Sequence, residues 1–522
     1  MLERPLTRAA AAPAPFGRAQ WLLIVAVTAV AAALRLWRFG EWSLWIDEAH
    51  TWRDATMQLA GENGFLRTDR MFYPATFLLL RFLFGVGWLG FDEASLRLPF
   101  VLLGIATVPL VALCGRRLVG PWAAVLAASL VAIDPWHLFW SQNARGYGPM
   151  VLLTVVAANR AHVWLGTDRP RDLYAAVLAI GLGALCHPSA VLAVFAFVAF
   201  LLARSALATA SGRRRVLRVA VALSCVVVVV PWVFQQLSPF QGFLRSKDDP
   251  SLMHFVETVV YYFRPTSLLL AAIGLWLAPR VLGLERALLL GCLLAVPLLA
   301  LAAVGGTLVK VTARYAICCQ PVVAWLVALA CVHVARLFSA GGVEPRAARV
   351  ALAALLPLLV AADSARLDVA YYGAQFGQRA RWREAAQFVQ QRAGTRGLRV
   401  LTVSHPTLLY YLRRRHWFVT DGDPYPTVDV LPLLDWMIAT GEDLAGRRLH
   451  DPGAEAHLAW HRREAAREQA QFAVVVTLPE LDEHDRDGVL GRALARDFEL
   501  ALHLPCWIGP KDASVYVYLP RT

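Results

Sequence analysis

The chain has 522 residues, of which 58% are hydrophobic and only 17% are charged, and its mean hydropathy is +0.50. This composition excludes a set of ordinary soluble domains and indicates a polytopic α-helical membrane protein. The formal net charge of +13 would suit nucleic-acid binding, but the arginines form short clusters between apolar runs, as cytoplasmic loops do, so we expect no nucleic-acid partner.

Apolar runs long enough to cross a bilayer as helices recur up to residue 362. The runs predict about 11 membrane spans. They are 21–37, 96–114, 122–140, 147–165, 173–186, 190–202, 216–234, 267–282, 287–304, 315–337 and 350–362. Small residues at the end of the first run also suit a cleaved signal peptide, but a retained anchor is the preferred interpretation. Seven of the eight cysteines lie in or beside these runs, which is typical of core packing and not of a disulfide framework.

Basic clusters set the orientation of these spans, because cytoplasmic loops carry an excess of Lys and Arg. The clusters are Arg4/Arg8/Arg18, Arg116/Arg117, Arg169/Arg171, Arg204 with Arg213/Arg214/Arg215/Arg218, Arg280/Arg286 and Arg336/Arg346/Arg349. All of them are cytoplasmic if the N-terminus is cytoplasmic and the run 72–90 does not cross. That run carries Arg81 in its middle, so we predict a helix at the membrane interface, within one outer loop over 38–97.

The outer loop contains the stretch SLWIDEAHTW, in which Asp47 and Glu48 are adjacent carboxylates. Apolar residues at helical spacing predict a helix whose tryptophans face a bilayer surface and whose polar face carries Asp47. The two faces consist of Trp42, Trp45, Ile46, Ala49, Trp52 and Leu59 on one side, and Asp47, His50, Thr51, Asp54 and Gln58 on the other. A solvated polar face without chemistry is the alternative interpretation.

Further polar residues recur at the outer ends of later spans. They are Asp134, His137, Gln142, Asn143, Arg145 and Tyr147, then His187, and then Lys310, Arg314 and Tyr315. Any one of them alone is better explained as an interfacial anchor. Together they place carboxylates and cations at one membrane level, which indicates a site for an anionic headgroup whose tail stays in the lipid.

The composition becomes mixed and polar after the last span, which predicts a soluble α/β domain over 363–522, outside the cytoplasm, following a transmembrane domain over 1–362. WREAAQFVQQRAG reads as a helix ending at Gly394, PTLLYYLRRR as a second helix, and LRVLTVS, QFAVVVTL and SVYVYLP as strands. This region has no Gly-rich phosphate loop and no Cys/His set at metal spacing. His405 and His416 are interpreted as structural.

Several stretches together make a family recognisable. Between about residues 20 and 340 the chain contains, in this order, WIDEAHTW, YPATFLLLRFLFGVG, FDEASLRLPF, GRRL, SQNARGY, CHPSAVLAVF and ARYAICCQPVVA. In this order they resemble the bacterial glycosyltransferase 39 superfamily. This is the GT-C group that includes protein O-mannosyltransferases, lipid A aminoarabinose transferases and Rgt-type lipopolysaccharide glycosyltransferases.

The resemblance implies an inverting transferase that takes a sugar from a polyprenyl-phosphate donor. It assigns the base to Asp47, with Glu48 as its catalytic neighbour, and donor-phosphate contacts to Arg145, Arg314 and Tyr315. The other candidate substrate-binding residues are His187, Gln142, Asn143, Tyr147 and Arg81. Two departures concern the substrate: FYPATF stands where relatives have HPPLYY, and Asn143 stands where they have Glu. These leave the acceptor, and activity itself, open.

These residues establish no cofactor, although the carboxylates Asp47, Glu48 and Asp54 suit Mg²⁺ or Mn²⁺. Asn143 in place of a carboxylate favours a site without metal. The expected partners are the lipid-linked donor, a lipid, glycan or protein acceptor, and membrane lipids of a bacterial inner membrane. A polyprenyl-lipid flippase or a non-catalytic membrane scaffold is the alternative, but inverted repeats and polar residues at the membrane midplane, which transporters usually have, are not found in the sequence.

Overall fold

The structure is a computed structural model that describes residues 15–61, 64–90, 92–167, 169–207, 250–340, 346–394, 396–413, 428–432, 453–479, 488–508 and 511–521, together with 481 and 485. The helices of the first part of the chain are α1 (Arg18–Leu36), α2 (Ile46–Thr56), α3 (Ala75–Gly85), α4 (Glu93–Val119), α5 (Pro121–Ala132), α6 (Pro135–Ser141), α7 (Tyr147–Thr167), α8 (Pro170–Cys186) and α9 (Val191–Leu207). They are followed by α10 (Leu252–Phe263), α11 (Pro265–Leu282), α12 (Leu284–Thr307), α13 (Gln320–Ala340) and α14 (Arg346–Tyr372).

Six helices among the described residues are long and apolar enough to cross a membrane, and a seventh span results if the bent pair α5 and α6 is counted as one. They coincide with seven of the predicted spans. The predicted spans 147–165, 173–186 and 350–362 are also helical, within α7, α8 and α14, but they do not meet the same test of length and hydropathy. The predicted span 216–234 lies outside the described residues. The predicted interfacial helix is α3, whose 11 residues reach about 16 Å, too short to cross.

The bend between α5 and α6, of 63°, occurs where the buried Arg35 of α1 reaches across. Its guanidinium donates to the carbonyl oxygens of Val131 (3.1 Å) and Ala132 (2.8 Å) at the end of α5. Asp134 then caps α6 by accepting from the backbone N–H of His137 at 2.7 Å. This bend turns the chain toward the second outer loop, so Arg35 helps to position the residues that follow α6.

The helix α2 is buried within the protein, so the prediction that its tryptophans face a bilayer surface is wrong. Trp52 is 1% exposed and packs edge-on against Tyr410 of the C-terminal region at a centroid distance of 5.1 Å. Trp42 is 4% exposed, and Trp45 is half-buried against Trp140. The polar face is also buried at Thr51 and Asp54, and so is the neighbouring Glu48. The sequence periodicity could not show this, because protein and lipid accept the same aromatic face.

The C-terminal region consists of helices around a sheet. Its elements are α15 (Trp382–Ala393), β1 (Leu398–Thr402), α16 (His405–Arg413), β2 (Val428–Pro432), α17 (Gly453–Arg467), β3 (Gln471–Thr477), α18 (Val489–Asp497), β4 (Phe498–Leu504), β5 (Trp507–Ile508), β6 (Lys511–Asp512) and β7 (Val515–Pro520). The five-stranded sheet has the order β2-β1-β3-β7-β4, with β1, β2 and β3 parallel and β7 antiparallel to both neighbours. β1 and nearly all of β3 are buried, as expected for parallel strands covered on both faces.

The elements predicted in this region occur where expected, at α15, β1, α16, β3 and β7. The helix α15 ends before Gly394, whose φ of +59° is a left-handed conformation that glycine adopts readily. The helix α14 continues through residue 363 to Tyr372, so the polypeptide leaves the helical bundle later than the predicted domain boundary. Residue 416 lies outside the described residues.

Candidate active site

The adjacent carboxylates of the first outer loop begin α2 and point in different directions. Glu48 is the third residue of the helix, and its carboxylate accepts from the backbone N–H of Trp45 at 3.1 Å. Acidic residues in the first turn also interact favourably with the helix dipole. Because successive residues of a helix are about 100° apart, Asp47 and Glu48 have different surroundings.

The Glu48 side chain is fully buried and occupied by protein donors. Arg97 of α4 donates to both carboxylate oxygens at 2.8 Å, and Arg379 of the C-terminal region donates at 3.0 Å. The backbone N–H of Ala144 donates at 3.0 Å. Burial raises the pKa of Glu48, but the charges and hydrogen bonds of Arg97 and Arg379 outweigh it and lower the pKa to about 2. Glu48 is therefore ionised and holds three parts of the chain together, which differs from the catalytic role expected beside Asp47.

Asp47 is partly exposed and lies next to the arginine of the second outer loop. Arg145 donates to the Asp47 backbone carbonyl oxygen at 3.3 Å and to Thr51 Oγ at 3.2 Å. Burial lowers the pKa of Arg145, but the Asp47 charge and the phenols of Tyr73 and Tyr147 outweigh it, so the pKa is raised. Arg145 is therefore a permanent cation beside the Asp47 carboxylate.

A glycine lets the second outer loop approach the end of α8. A Cβ atom on Gly146 would lie 1.9 Å from the carbonyl oxygen of Cys186, so only glycine fits there without movement. Its neighbours Arg145 and Tyr147 are thereby brought against His187, which follows α8 directly. Two segments distant in sequence thus meet at one point.

Arg314 and Tyr315 approach from the turn before α13. Arg314 Nη2 donates to the Tyr315 hydroxyl at 3.1 Å, and its guanidinium lies over the rings of Trp45 (5.8 Å) and Tyr315 (5.0 Å). The charge of Asp47 acts on Arg314 as well as on Arg145. The Nε atoms of Arg145 and Arg314 are both buried without a hydrogen-bond partner. Two guanidiniums therefore retain donors for a further acceptor near Asp47.

An aromatic stack forms one wall of this site. The Tyr147 ring lies between Trp140, at a centroid distance of 3.9 Å, and His187, at 3.8 Å. Tyr315 is 6.4 Å beyond His187. Burial and the charges of Arg145 and Arg314 lower the pKa of His187 well below its usual value, so its imidazole is neutral. His187 is thus part of the wall and not a third cation.

Asn143 is fully buried between Gln142 and Ala144, and neither its amide nitrogen nor its amide oxygen has a hydrogen-bond partner. A buried amide without partners costs free energy, so it needs a functional or solvent partner. Its place in the loop that carries Arg145 makes it a candidate contact for substrate.

Gln142 and Arg81, which the sequence suggested as substrate-binding residues, form hydrogen bonds within the protein. The Gln142 side chain is buried, donates to the carbonyl oxygens of Arg35 and Trp37 at 3.0 Å, and accepts from the Tyr371 hydroxyl at 2.7 Å. Arg81 donates to the carbonyl oxygens of Asp54 and Met57 at the end of α2. The Gln142 amide is thus occupied by partners within the protein, whereas the Nε of Arg81 is buried without a hydrogen-bond partner.

Sequence reasoning missed residues that the fold brings to this site. Arg97 belongs to the LRLP stretch of the resemblance, but nothing in the sequence pairs it with Glu48. Arg379 follows a helix that continues far beyond the predicted last span, and no local pattern marks it. Arg70 and Tyr73 precede α3, and both influence the pKa of Arg145. Only a tertiary structure could assign these four.

The surroundings of Asp47 do not fit a divalent cation. In the part of the chain that the structure describes, no group of three or more His, Cys, Asp and Glu side chains is placed to hold a metal ion. Glu48 is saturated by Arg97 and Arg379, and Asp54 is paired with Arg53 and Arg70. The guanidiniums near Asp47 would repel Mg²⁺ or Mn²⁺, whose usual ligands are several oxygens.

A family model for dolichyl-phosphate-mannose-protein mannosyltransferases matches residues 74–234. Among solved structures, the chain is similar to ArnT from Cupriavidus metallidurans bound to undecaprenyl phosphate, with 14% identity, a TM-score of 0.57 and coverage of 96% of this chain and 98% of that chain. No curated protein matches the chain significantly in sequence.

The chain is also similar to the oligosaccharyltransferase AglB from Archaeoglobus fulgidus in complex with an inhibitory peptide and a dolichol-phosphate, with 14% identity, a TM-score of 0.56 and coverage of 96% of this chain and 74% of that chain. An oligosaccharyltransferase from Archaeoglobus fulgidus in complex with Zn and sulfate matches with 15% identity, a TM-score of 0.54 and coverage of 95% of this chain and 72% of that chain. At these identities the likeness concerns the fold. The resemblance to the GT-C glycosyltransferases is thereby confirmed, and the chain has the GT-C fold.

Proposed function

We propose that the protein is an inverting membrane glycosyltransferase. It moves a sugar from a polyprenyl-phosphate donor to a lipid, glycan or protein acceptor on the outer face of a bacterial inner membrane. The observation that carries this proposal is the convergence of the partly exposed Asp47 with Arg145 and Arg314, each of which has a buried Nε without a partner. In this proposal Asp47 is the general base, and Glu48 fixes its position.

The donor is a lipid because of where the site lies in the proposed topology. With eleven spans and a cytoplasmic N-terminus, the outer loop and the C-terminal region face away from the cytoplasm, where nucleotide sugars are made. ArnT and AglB, which share the fold, have been crystallised or studied with undecaprenyl phosphate and dolichol-phosphate. An apolar tail would stay in the bilayer while the phosphate reaches the two arginines.

The two arginines would stabilise the departing phosphate. When the bond from the anomeric carbon to the bridging oxygen breaks, negative charge develops on the phosphate. Guanidiniums remain charged at every physiological pH, and their planar donors match phosphate oxygens. Because Arg145 and Arg314 are already held in place by Thr51 and Tyr315, little reorganisation is needed at the moment of reaction.

Asp47 would take the proton of the acceptor hydroxyl as its oxygen attacks the anomeric carbon from the face opposite to the phosphate. The new glycosidic bond then has inverted configuration, and the proton ends on the carboxylate. An acceptor hydroxyl is a much weaker acid than a carboxylic acid, so the proton moves late, after positive charge has developed on the sugar. The stack of Trp140, Tyr147 and His187 would border the sugar ring.

The proposal is tested in cells and in open membranes. Cells that lack the gene should accumulate a polyprenyl-linked sugar and lack one sugar on an envelope glycan, lipid or protein, and plasmid-borne wild type should restore both. Membranes opened by detergent and supplied with the accumulated donor should regain transfer only when the wild-type protein is present. If membranes without the protein transfer the sugar at the normal rate once opened, the protein is a flippase and the proposal fails.

A further inference from the structure

The segment between α14 and α15 has an unusual backbone. Phe376, Gly377 and Gln378 have φ values of +48°, +65° and +54°, and two of these three residues are not glycine. For residues other than glycine such conformations are strained and persist only where the surroundings enforce them. A Cβ on Gly377 would lie 2.5 Å from the Trp42 ring, so the segment presses directly on the first outer loop. The next residue is Arg379, which is 1% exposed.

Arg379 joins two loops that carry site residues. Its Nε donates to Glu48 Oε2 at 3.0 Å, and its Nη2 donates to the Gln142 carbonyl oxygen at 2.6 Å. The guanidinium lies over the Phe139 ring at 5.1 Å. The planar guanidinium donates one hydrogen bond to α2 and another to the second outer loop. Arg379 therefore fixes the distance between them.

The two loops are also cross-linked to each other in both directions. The Ala144 N–H donates to Glu48, and the Arg145 side chain donates to the Asp47 carbonyl oxygen. Each bond has a site residue or its immediate neighbour at both ends. A displacement of Glu48 would therefore move Asp47 and Arg145 relative to one another.

We propose that Arg379 is a positioning residue that sets the geometry of Asp47 against Arg145, so that the C-terminal region completes the catalytic centre. This inference rests on the proposed function of Asp47. Arg379 acts through Glu48 and the Gln142 carbonyl and does not touch substrate. A second contact from the same region supports this role, because the Leu44 N–H, just before α2, donates to the Tyr411 hydroxyl at 2.6 Å.

Replacement of Arg379 should leave a folded protein. Glu48 keeps its two hydrogen bonds to Arg97 at 2.8 Å, so its buried charge stays compensated after Arg379 is lost. Arg379→Gln should reduce kcat by about 10²-fold, the cost of displacing a catalytic group by roughly 1 Å, with a much smaller change in the KM for the donor. Arg379→Lys keeps the charge but not the planar set of guanidinium donors, so its kcat should lie between those of Arg379→Gln and the wild type.

The experiment compares Arg379→Gln, Arg379→Lys and the control Arg381→Gln in the purified full chain. Arg381 lies two residues away, is partly exposed and pairs with Glu384, outside the site. Hydrogen exchange at the amides of Trp45 and Ala144, which both donate to Glu48, should be faster in Arg379→Gln than in wild type and unchanged in Arg381→Gln. This measurement does not depend on any sugar transfer.

A double-mutant cycle with Glu48→Gln completes the test. If Arg379 acts through Glu48, Arg379→Gln should reduce kcat little further in the Glu48→Gln background. Full kcat for folded Arg379→Gln, with Asp47→Asn inactive in parallel, overturns the inference and leaves the proposed function intact. If amide exchange is instead faster in Arg379→Gln while Asp47→Asn stays fully active, Arg379 does hold Glu48 in place, and the assignment of Asp47 as the base is wrong. If Arg379→Gln reduces kcat by the same factor in the wild type and in Glu48→Gln, the two residues act independently, which also contradicts the inference.

Discussion

Arg145 donates a hydrogen bond to the backbone carbonyl oxygen of Asp47, so the cation proposed for the leaving group is attached to the residue proposed as the base. The bond uses the main chain of Asp47 and leaves its carboxylate for the acceptor. The Nε of Arg145 is buried without a partner, as the proposed contact with the donor phosphate requires. In the proposed mechanism, charge stabilisation and proton transfer are therefore set at a fixed separation before any substrate binds.

Replacing the base should abolish turnover without abolishing donor binding. Asp47→Asn keeps the size and the backbone bond to Arg145 but cannot accept the proton, so kcat should fall by about 10² to 10⁴-fold. Binding of undecaprenyl phosphate, measured by tryptophan fluorescence of the purified protein, should persist. Normal turnover by Asp47→Asn would remove Asp47 from the reaction.

Loss of the second cation should weaken binding of the phosphate. Arg314→Ala removes charge-assisted hydrogen bonds worth about 1.5–3 kcal/mol each, so the Kd for undecaprenyl phosphate should rise by about 10 to 100-fold. Arg280→Ala is the control, because Arg280 lies over Trp276 in α11, away from Asp47. Equal affinities for Arg314→Ala and wild type would exclude Arg314 from the phosphate site.

The stability of the protein should depend on the ionisation of Glu48. Its folded pKa of about 2 lies below the ordinary value of 4.5, so its contribution is complete above pH 4.5 and is lost as the pH falls toward 2. Glu48→Gln leaves the buried Arg97 and Arg379 uncompensated and should cost about 3–5 kcal/mol, while weakening the pH dependence in this window.

Thermal unfolding at several pH values measures this dependence on Glu48. Glu41→Gln is the control, because Glu41 pairs with Arg38 on an exposed surface and should change the melting temperature little. If Glu48→Gln melts like wild type and loses stability equally between pH 4.5 and 2, the buried ion cluster does not have the proposed importance.

The close approach at Gly146 predicts a steric effect on activity. Gly146→Ala places a methyl group 1.9 Å from the Cys186 carbonyl oxygen, so the second outer loop must shift, and Arg145 with it. We expect a fall in kcat of about 10²-fold. Gly181→Ala, in α8, meets nothing within 4 Å and should be neutral or slightly stabilising. Retention of full activity by Gly146→Ala would show that the loop tolerates displacement.

The proposed topology is tested by a tag placed after Thr522. Impermeant reagents should reach this tag from outside the cytoplasmic membrane only, because the eleven proposed spans put the two termini on opposite sides. A tag before Met1 is the matched control and should react only after the membrane is opened. Labelling of the C-terminal tag from the cytoplasm would contradict the proposed orientation.

The sequence predicted the helical architecture and the residues around Asp47 better than it predicted their packing. Apolar runs mark helices because burial and lipid select the same residue types, and the order of the motifs brought Asp47, Arg145 and Arg314 together. It did not separate Asp47 from Glu48, because only tertiary contacts show that Glu48 is closed in by Arg97 and Arg379. For the same reason the sequence could not show that the Gln142 amide bonds to backbone carbonyl oxygens and to the Tyr371 hydroxyl.

The ion pair between Glu48 and Arg379 spans 331 positions of the chain. During biosynthesis the first outer loop emerges long before its last partner, and at about 5–20 residues per second the interval is roughly 20 s to a minute. Throughout that time Glu48 has only its early partners. On the proposed function, the nascent protein would therefore lack the final geometry of its catalytic centre until translation has passed the membrane helices.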